Sequence, residues 1–204
     1  MYQQQRHLNM KILHQFDIKK LLTIVLLNAV LSVVFSDTTL KYFQPFSGES
    51  SDPRNKHKPA LKGFCREQSH HIKREDAFRC DAEGKILDPC FIHPHKKNHT
   101  AACIPSPWAD MEQNIELHQT LSHSNQATLD MSKAYPWAVV LKKNNIKCLS
   151  FHKDGDLIDG MKVRYRCLDQ SYLVGHLQRC DPNWSILMYK NGQFSHEKIK
   201  LAWF

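Results

Sequence analysis

Seven cysteines, all between Cys65 and Cys180, constrain the fold of this chain more than any other feature. What they can do depends on the compartment, and the N-terminus speaks to that. Arg6, Lys11, Lys19 and Lys20 stand against one acid, Asp17, ahead of the uncharged run LLTIVLLNAVLSVVF at 21–35. A basic stretch, an apolar stretch and small residues before a cut form the pattern of a secretory leader. Val34 and Ser36 supply the small residues, so residues 1–36 are expected to be a signal peptide cut before Asp37. The run has 15 residues, and a spanning helix needs about 20. An uncleaved N-terminal anchor is the alternative, with Met10 as a possible true start. Both place the rest of the chain outside the cytoplasm, secreted or periplasmic, with no second membrane span.

In an oxidising compartment the cysteines read first as disulfides. Cys148 and Cys167 end two alternating runs around the turn material HKDGDLIDG, which suggests two neighbouring strands joined by a bridge. Cys65, Cys80, Cys90 and Cys103 allow three pairings that sequence cannot separate. The expectation is Cys80–Cys90 across the turn DAEGK, with Cys65–Cys103 closing outside it. Cys180 is then a free thiol or the bridge of a dimer, so the chain is expected as a monomer or a Cys180-linked dimer.

Metal chemistry is tested against the same residues. No C-x2-C pair is present, so a zinc finger or ribbon is excluded. His93, His95 and His99 are the one metal candidate, although Pro94 prevents a helix from presenting the first two on one face. A solvated His-rich loop is the plainer reading, and no metal or other cofactor is expected. Asp154, Asp156 and Asp159 imitate a calcium loop, but Ile158 and Tyr165 stand where ligands belong, so a turn is expected. His70 and His71 fall between two cysteines on a loop. The Asn98 and Asn183 sequons matter only if the host glycosylates exported chains.

The fold class expected is mainly β: a small disulfide-stapled antiparallel domain with an N-terminal Cys-rich segment. Residues 37–63 are polar and rich in turn formers, and are expected to be a mobile arm. Residues 64–107 are the Cys-rich part, with DAFRC and KILDPCF as a short hairpin. Residues 108–204 form the β region, packed with 64–107 as one domain. NIELHQTL alternates and reads as a strand; the rival is a helix capped by Ser106 with Pro107 at its first position. From 136 on, PWAVVL, IKCLSF, KVRYRC, SYLVG, SILMYK and IKLAWF are six short runs separated by turns, with Asn191-Gly192 the strongest hairpin signal. Trp137, Trp184 and Trp203 are assigned to the core of a sheet, sandwich or barrel.

These residues carry a resemblance. Cys65 with Ser69, DAFRC ending at Cys80, ILDPCF through Cys90, Cys103 with Pro105 and Trp108, PWA at 136–138, Cys148, and Gly160…Tyr165-x-Cys167 form one set. Gly175, Arg179, Trp184 and the closing AWF complete it. The chain after residue 64 resembles a family of exported, cysteine-containing bacterial proteins to which no activity is assigned. The resemblance implies an exported fold with three disulfides among six cysteines, and leaves Cys180 as the odd one. It implies nothing about substrate.

Function is narrowed mostly by exclusion. No G-x-S-x-G elbow, H-E-x-x-H or P-loop occurs. A hydrolase would need a dispersed active site; Cys180 with His176 need not meet, and the carboxylates Asp76 and Asp88 read instead as turn and strand-end residues, with Asp88 before Pro89 fitting a turn start. The net charge of +8 includes the leader, and no basic run with interleaved aromatics follows it, so nucleic acid is not an expected partner. The reading that remains is a non-catalytic binding module of the cell envelope or exterior, its partner a protein or an envelope polymer. Its candidate contact loops are 93–99, 122–134 and 154–159. A redox role for a Cys180-linked dimer is the other alternative.

Overall fold

Short alternating runs between tight turns become short strands. The computed structural model describes residues 37–46, 60–92, 100–109, 112–118, 128–152 and 155–204. Their strands are β1 (Thr39–Lys41), β2 (Leu61–Gln68), β3 (Ala77–Ala82), β4 (Lys85–Ile92), β5 (Thr100–Cys103), β6 (Gln113–Leu117) and β7 (Ala138–Leu141). After a single 3-10 turn come β8 (Lys147–Ser150), β9 (Leu157–Ile158), β10 (Met161–Cys167), β11 (Tyr172–Gln178), β12 (Ser185–Lys190) and β13 (Gln193–Trp203). NIEL is therefore β6, and the rival helix from Ser106 does not form.

The strands close into two barrels. The first runs β2-β3-β4-β5-β6 and shuts by β2–β6 pairing. A meander reverses direction at each strand, so after five strands the first and last are parallel, as Leu61 opposite Ile115 is here. The second runs β7-β8-β10-β11-β12-β13, with β9 a short addition to β10. Its count is even, and β13 closes antiparallel on β7. Two hairpins use two-residue turns that need positive φ at both positions. Glu83 and Gly84 (φ 52° and 77°) join β3 to β4; Asn191 and Gly192 (φ 51° and 80°) join β12 to β13.

The expected arm at 37–63 is corrected at both ends. Leu61 already lies in β2, and β1 pairs in parallel with Leu201–Trp203. The reason is an open edge: β13 pairs with β12 only as far as Lys198, and its last residues leave a ladder that Thr39–Lys41 fills. Thr38 adds to this, its Oγ1 donating to Ile199 O at 2.8 Å and accepting from Trp184 N–H at 2.9 Å. Polar composition hid a strand whose stability comes from its partner rather than from its own side chains. Residues 47–59 lie outside the described residues.

Strand periodicity sorts side chains into three cores. Phe78, Cys80, Cys90, Ile92 and Ile115 fill the first barrel. Val139, Leu141, Tyr165, Leu173, Ile186 and Ile199 fill the second. The alternate residues face the seam, where Ala77 and Phe91 of the first barrel meet Trp137 and Ala138 of the second, with Ile72 and Ile104. Trp137 is buried there; Trp184 and Trp203 are half-buried at the edges of cores.

Register decides the disulfides. Cys148 lies directly opposite Cys167, and the two are joined. In the Cys-rich part the bridges are Cys65–Cys80 and Cys90–Cys103, which corrects the expected Cys80–Cys90 and Cys65–Cys103 pairs. Cys65 faces Cys80 across β2 and β3, and Cys90 faces Cys103 across β4 and β5. Between β3 and β4 the partners are Cys80 with Leu87 and Cys90 with Phe78, so Cys80 and Cys90 are out of step. The Sγ atoms of Cys80, Cys90 and Cys103 still lie within 4.8 Å of one another, which stacks the two bridges inside the barrel. Cys180 is exposed and unbridged.

Tyr165 crosses the second barrel fully buried, its Oη donating to Pro136 O at 2.8 Å. Burial holds its phenol well above the usual tyrosine range. The unfolded chain ionises near pH 10 while the fold keeps the proton, so the native state binds more protons above that pH. Stability should therefore fall as pH rises past about 10, with up to about 1.4 kcal/mol per pH unit from this group. Chemical denaturation of wild type and Tyr165→Phe between pH 9 and 11 checks this: the variant should be weaker at pH 9, and the difference should shrink as pH rises.

Candidate functional site

The loop between β2 and β3 carries chemistry to the seam. Ser69 anchors it by donating its Oγ–H to Asp88 Oδ1 and accepting the main-chain N–H of His71 (3.1 Å) and Ile72 (3.2 Å). Asp88 Oδ2 takes the N–H of His70 at 2.9 Å. One carboxylate on β4 and one hydroxyl thus absorb three turn donors, which fixes where His70 and His71 sit. Asp88 serves as this anchor, and Asp76 pairs with Arg74 instead, Oδ2 to Nη2 at 2.6 Å. The two carboxylates have separate partners and do not form the acid–base pair that a dispersed active site would need.

Across the seam, Ser150 ends β8 and His152 follows it. His71 Nδ1 shares a hydrogen bond of 2.8 Å with Ser150 Oγ. The His152 ring lies 6.1 Å from that of His70 and 6.3 Å from that of His71, centre to centre. Glu67 Oε2 stands 3.9 Å from His70 Nε2 and accepts Arg79 Nη1–H at 2.8 Å. Three imidazoles from two barrels therefore lie near one another, with those of His70 and His71 each about 6 Å from that of His152, 82 residues apart in the chain at the widest. Sequence reading placed His70 and His71 on a loop but had no means of adding Ser150 and His152, because only the packing of the barrels brings them near.

A cleft of about 380 Å³ opens on the other side of Asp88. Leu61, Ile86, Leu87, Pro89, Ile104 and Pro105 make it apolar, and Lys85, Asp88, Glu112 and Gln113 add polar groups. Ile86 is 52% exposed at its lip. Phe64 and Ile86 both pair with Asp81, so they share the outer face of the barrel and extend the apolar surface.

Other predicted residues fall elsewhere. His93, His95, His99, Asn98 and Asp154 lie outside the described residues. Asp159 sits in a tight turn (φ 48°) and the main-chain oxygen of Asp156 accepts Val163 N–H at 3.0 Å. The 122–134 loop is described only from 128, where Arg179 donates to the oxygens of Met131, Ser132 and Ala134 and stacks 4.7 Å from the Trp184 ring. Burial lowers the Arg179 pKa from its usual value. Asn183 accepts a hydrogen bond from Lys142 Nζ. His176 lies in β11, and Cys180 follows that strand, exposed.

Fold and site together define a two-barrel β protein with three cross-strand disulfides, and no helix of the described residues is long and apolar enough to cross a membrane. Comparison with models of known families, with curated proteins and with solved structures gives no match, so the likeness read from the motifs gains no support there.

The Ser69–Asp88 anchor has a measurable weight. Ser69 is buried, and Ser69→Ala leaves the N–H groups of His71 and Ile72 and one oxygen of Asp88 without it. Equilibrium unfolding should show a loss of about 1–3 kcal/mol, and amide exchange at 70–72 should rise more than exchange in β11.

Proposed function

We propose that this is an exported, non-catalytic binding module that takes an apolar segment of a protein partner in the cleft beside Asp88. The cleft carries this reading. Its size lies within the range of ligand sites, and it is mostly apolar with few polar groups, the composition of a site that takes an apolar group. Ile86 and Phe64 extend the apolar surface outward, which suits an extended partner better than a small molecule. The first barrel is closed, so it offers side chains rather than a strand edge. Three disulfides favour the oxidising side of a membrane.

The nearest arrangement to a catalytic one is Ser150 with His71. It presents Nδ1 to the hydroxyl, and among the described residues no carboxylate bonds to the other ring nitrogen. A base in a triad is oriented by such a third group, so this pair reads as a structural contact across the seam.

A photo-crosslinking residue at position 86, compared with one at the still more exposed Leu168 of the second half of the chain, tests the assignment in the native host. A crosslinked protein partner at 86 that is absent at 168, and that is reduced at least tenfold by adding Leu61→Asp, supports it. Equal labelling at both positions, or none at 86, contradicts it.

A further inference from the structure

We propose that the end of the second barrel where Leu168, Tyr189 and Phe194 project docks on the surface of a lipid bilayer with anionic headgroups. This face is apart from the cleft, which belongs to the first barrel. In a meander the connections alternate between ends, so 142–146, 168–171 and 191–192 share one end, and the connections at 151–160 and 179–184 share the other. Bonds tie the first three together. Lys190 Nζ donates to Asp169 Oδ2 at 2.7 Å, and Leu168 N–H donates to the oxygen of Lys147 at 2.9 Å. Leu168 is 66% exposed and Phe194 38%. Phe194 lies opposite Tyr189, ring centres 5.0 Å apart, and Tyr189 lies opposite Tyr172. These rings stand on the outer face, since the next residues along their strands, Leu173 and Met188, fill the core.

Charge divides between the two ends in the same sense. Residues 142–147, 166–172 and 189–200 hold seven lysines and arginines against two acids, Asp169 and Glu197. Lys198 and Lys200 belong with this end: Lys198 O accepts the Lys142 N–H at 2.8 Å, and Lys200 Nζ donates to Asn145 Oδ1 at 2.7 Å. Both acids are engaged within the protein. Asp169 accepts from Lys190 and from Ser171 Oγ at 2.6 Å. Glu197 is 6% exposed, accepts Ser195 Oγ–H at 3.0 Å and faces Lys143 Nζ at 3.7 Å. The opposite end, residues 149–164 and 177–186, holds four bases and four acids. The net positive charge and the projecting apolar groups therefore coincide at one end. Each basic side chain near an anionic bilayer strengthens binding about fivefold, and tyrosine rings settle at headgroup level. Leu168 and Phe194 favour a bilayer over a soluble polyanion, which offers no apolar layer to receive them.

The test uses the full, disulfide-intact chain with a polarity-sensitive fluorophore on a single thiol. The thiol is either at position 193 (Gln193→Cys with Cys180→Ser) or is Cys180 itself, exposed at the opposite end. Vesicles of phosphatidylcholine and phosphatidylglycerol in equal parts, with a quencher in their acyl chains, should blue-shift and quench the probe at 193 and not the one on Cys180. Attachment through residues 1–36 alone would give the reverse order, because Thr38 N–H is bonded to Pro182 O at the Cys180 end, at 3.0 Å. Vesicles of phosphatidylcholine alone, or added salt, should weaken the response at least fivefold. Leu168→Gln with Phe194→Gln, and separately Lys147→Gln with Arg166→Gln, should do the same in chains that keep the wild-type circular dichroism. The proposal is overturned if both probes are quenched equally or only that on Cys180 responds, or if the paired Leu168 and Phe194 substitutions leave quenching at 193 unchanged. It is also overturned if dextran sulfate without lipid gives the same blue shift, which would assign this end to a soluble polyanion.

Discussion

The guanidinium of Arg74 is the contact on which the arrangement of this molecule depends. Its side chain is 2% exposed, so a full charge sits between the barrels. Every face of it is used. Nε and Nη2 take the two oxygens of Asp76 at 2.8 and 2.6 Å, and Nη1 reaches the main-chain oxygens of Phe43 at 2.6 Å and Phe204 at 3.3 Å. Tyr42 and Phe91 lie against its planar face, 4.1 and 5.1 Å from ring centre to Cζ. A buried charge costs several kcal/mol in lost hydration, and only a fork of this geometry offsets that through so many partners at once. Burial also raises the Tyr42 pKa, with Arg74 opposing it. One side chain thus gathers the N-terminal strand, the 69–76 loop and the C-terminal end of β13.

The barrels make this joint necessary. Each is closed, so neither extends a sheet into the other, and what remains between them is a layer of side chains. Phe43, Phe91 and Trp137 interlock there with ring centres 5.3 to 6.0 Å apart. Apolar contact holds the faces together without fixing their angle, while directional bonds to Arg74, and from His71 to Ser150, do fix it. The first barrel has a tight wall, as at Gly63, where a Cβ would stand 2.3 Å from Asp81 O. Two stacked disulfides compensate for its small core.

Much of the fold was legible in the chain. The six runs after 136 became the six strands of the second barrel because alternation and the Asn191-Gly192 turn are local signals. Disulfide pairing was not legible, since it follows from whether β3 and β4 place Cys80 opposite Cys90, and the register, which sets Cys80 against Leu87 and Cys90 against Phe78, decides that. β1 was hidden for a similar reason: a three-residue strand is stable only where β13 leaves an open edge. The cleft and the histidine cluster were the least legible. Sequence offered His93, His95 and His99 because they are adjacent, whereas His70, His71 and His152 come near one another only through packing of two barrels.

The most direct test of this account is amide exchange on Arg74→Met, measured beside equilibrium unfolding. The substitution keeps the bulk and removes the fork. We expect a stability loss of about 3 kcal/mol or more, with protection lost first at Thr39–Lys41 and Leu201–Trp203, while the interiors of both barrels keep theirs until global unfolding. A variant within about 0.5 kcal/mol of wild type, with exchange at those strands unchanged, would contradict the central place given to Arg74.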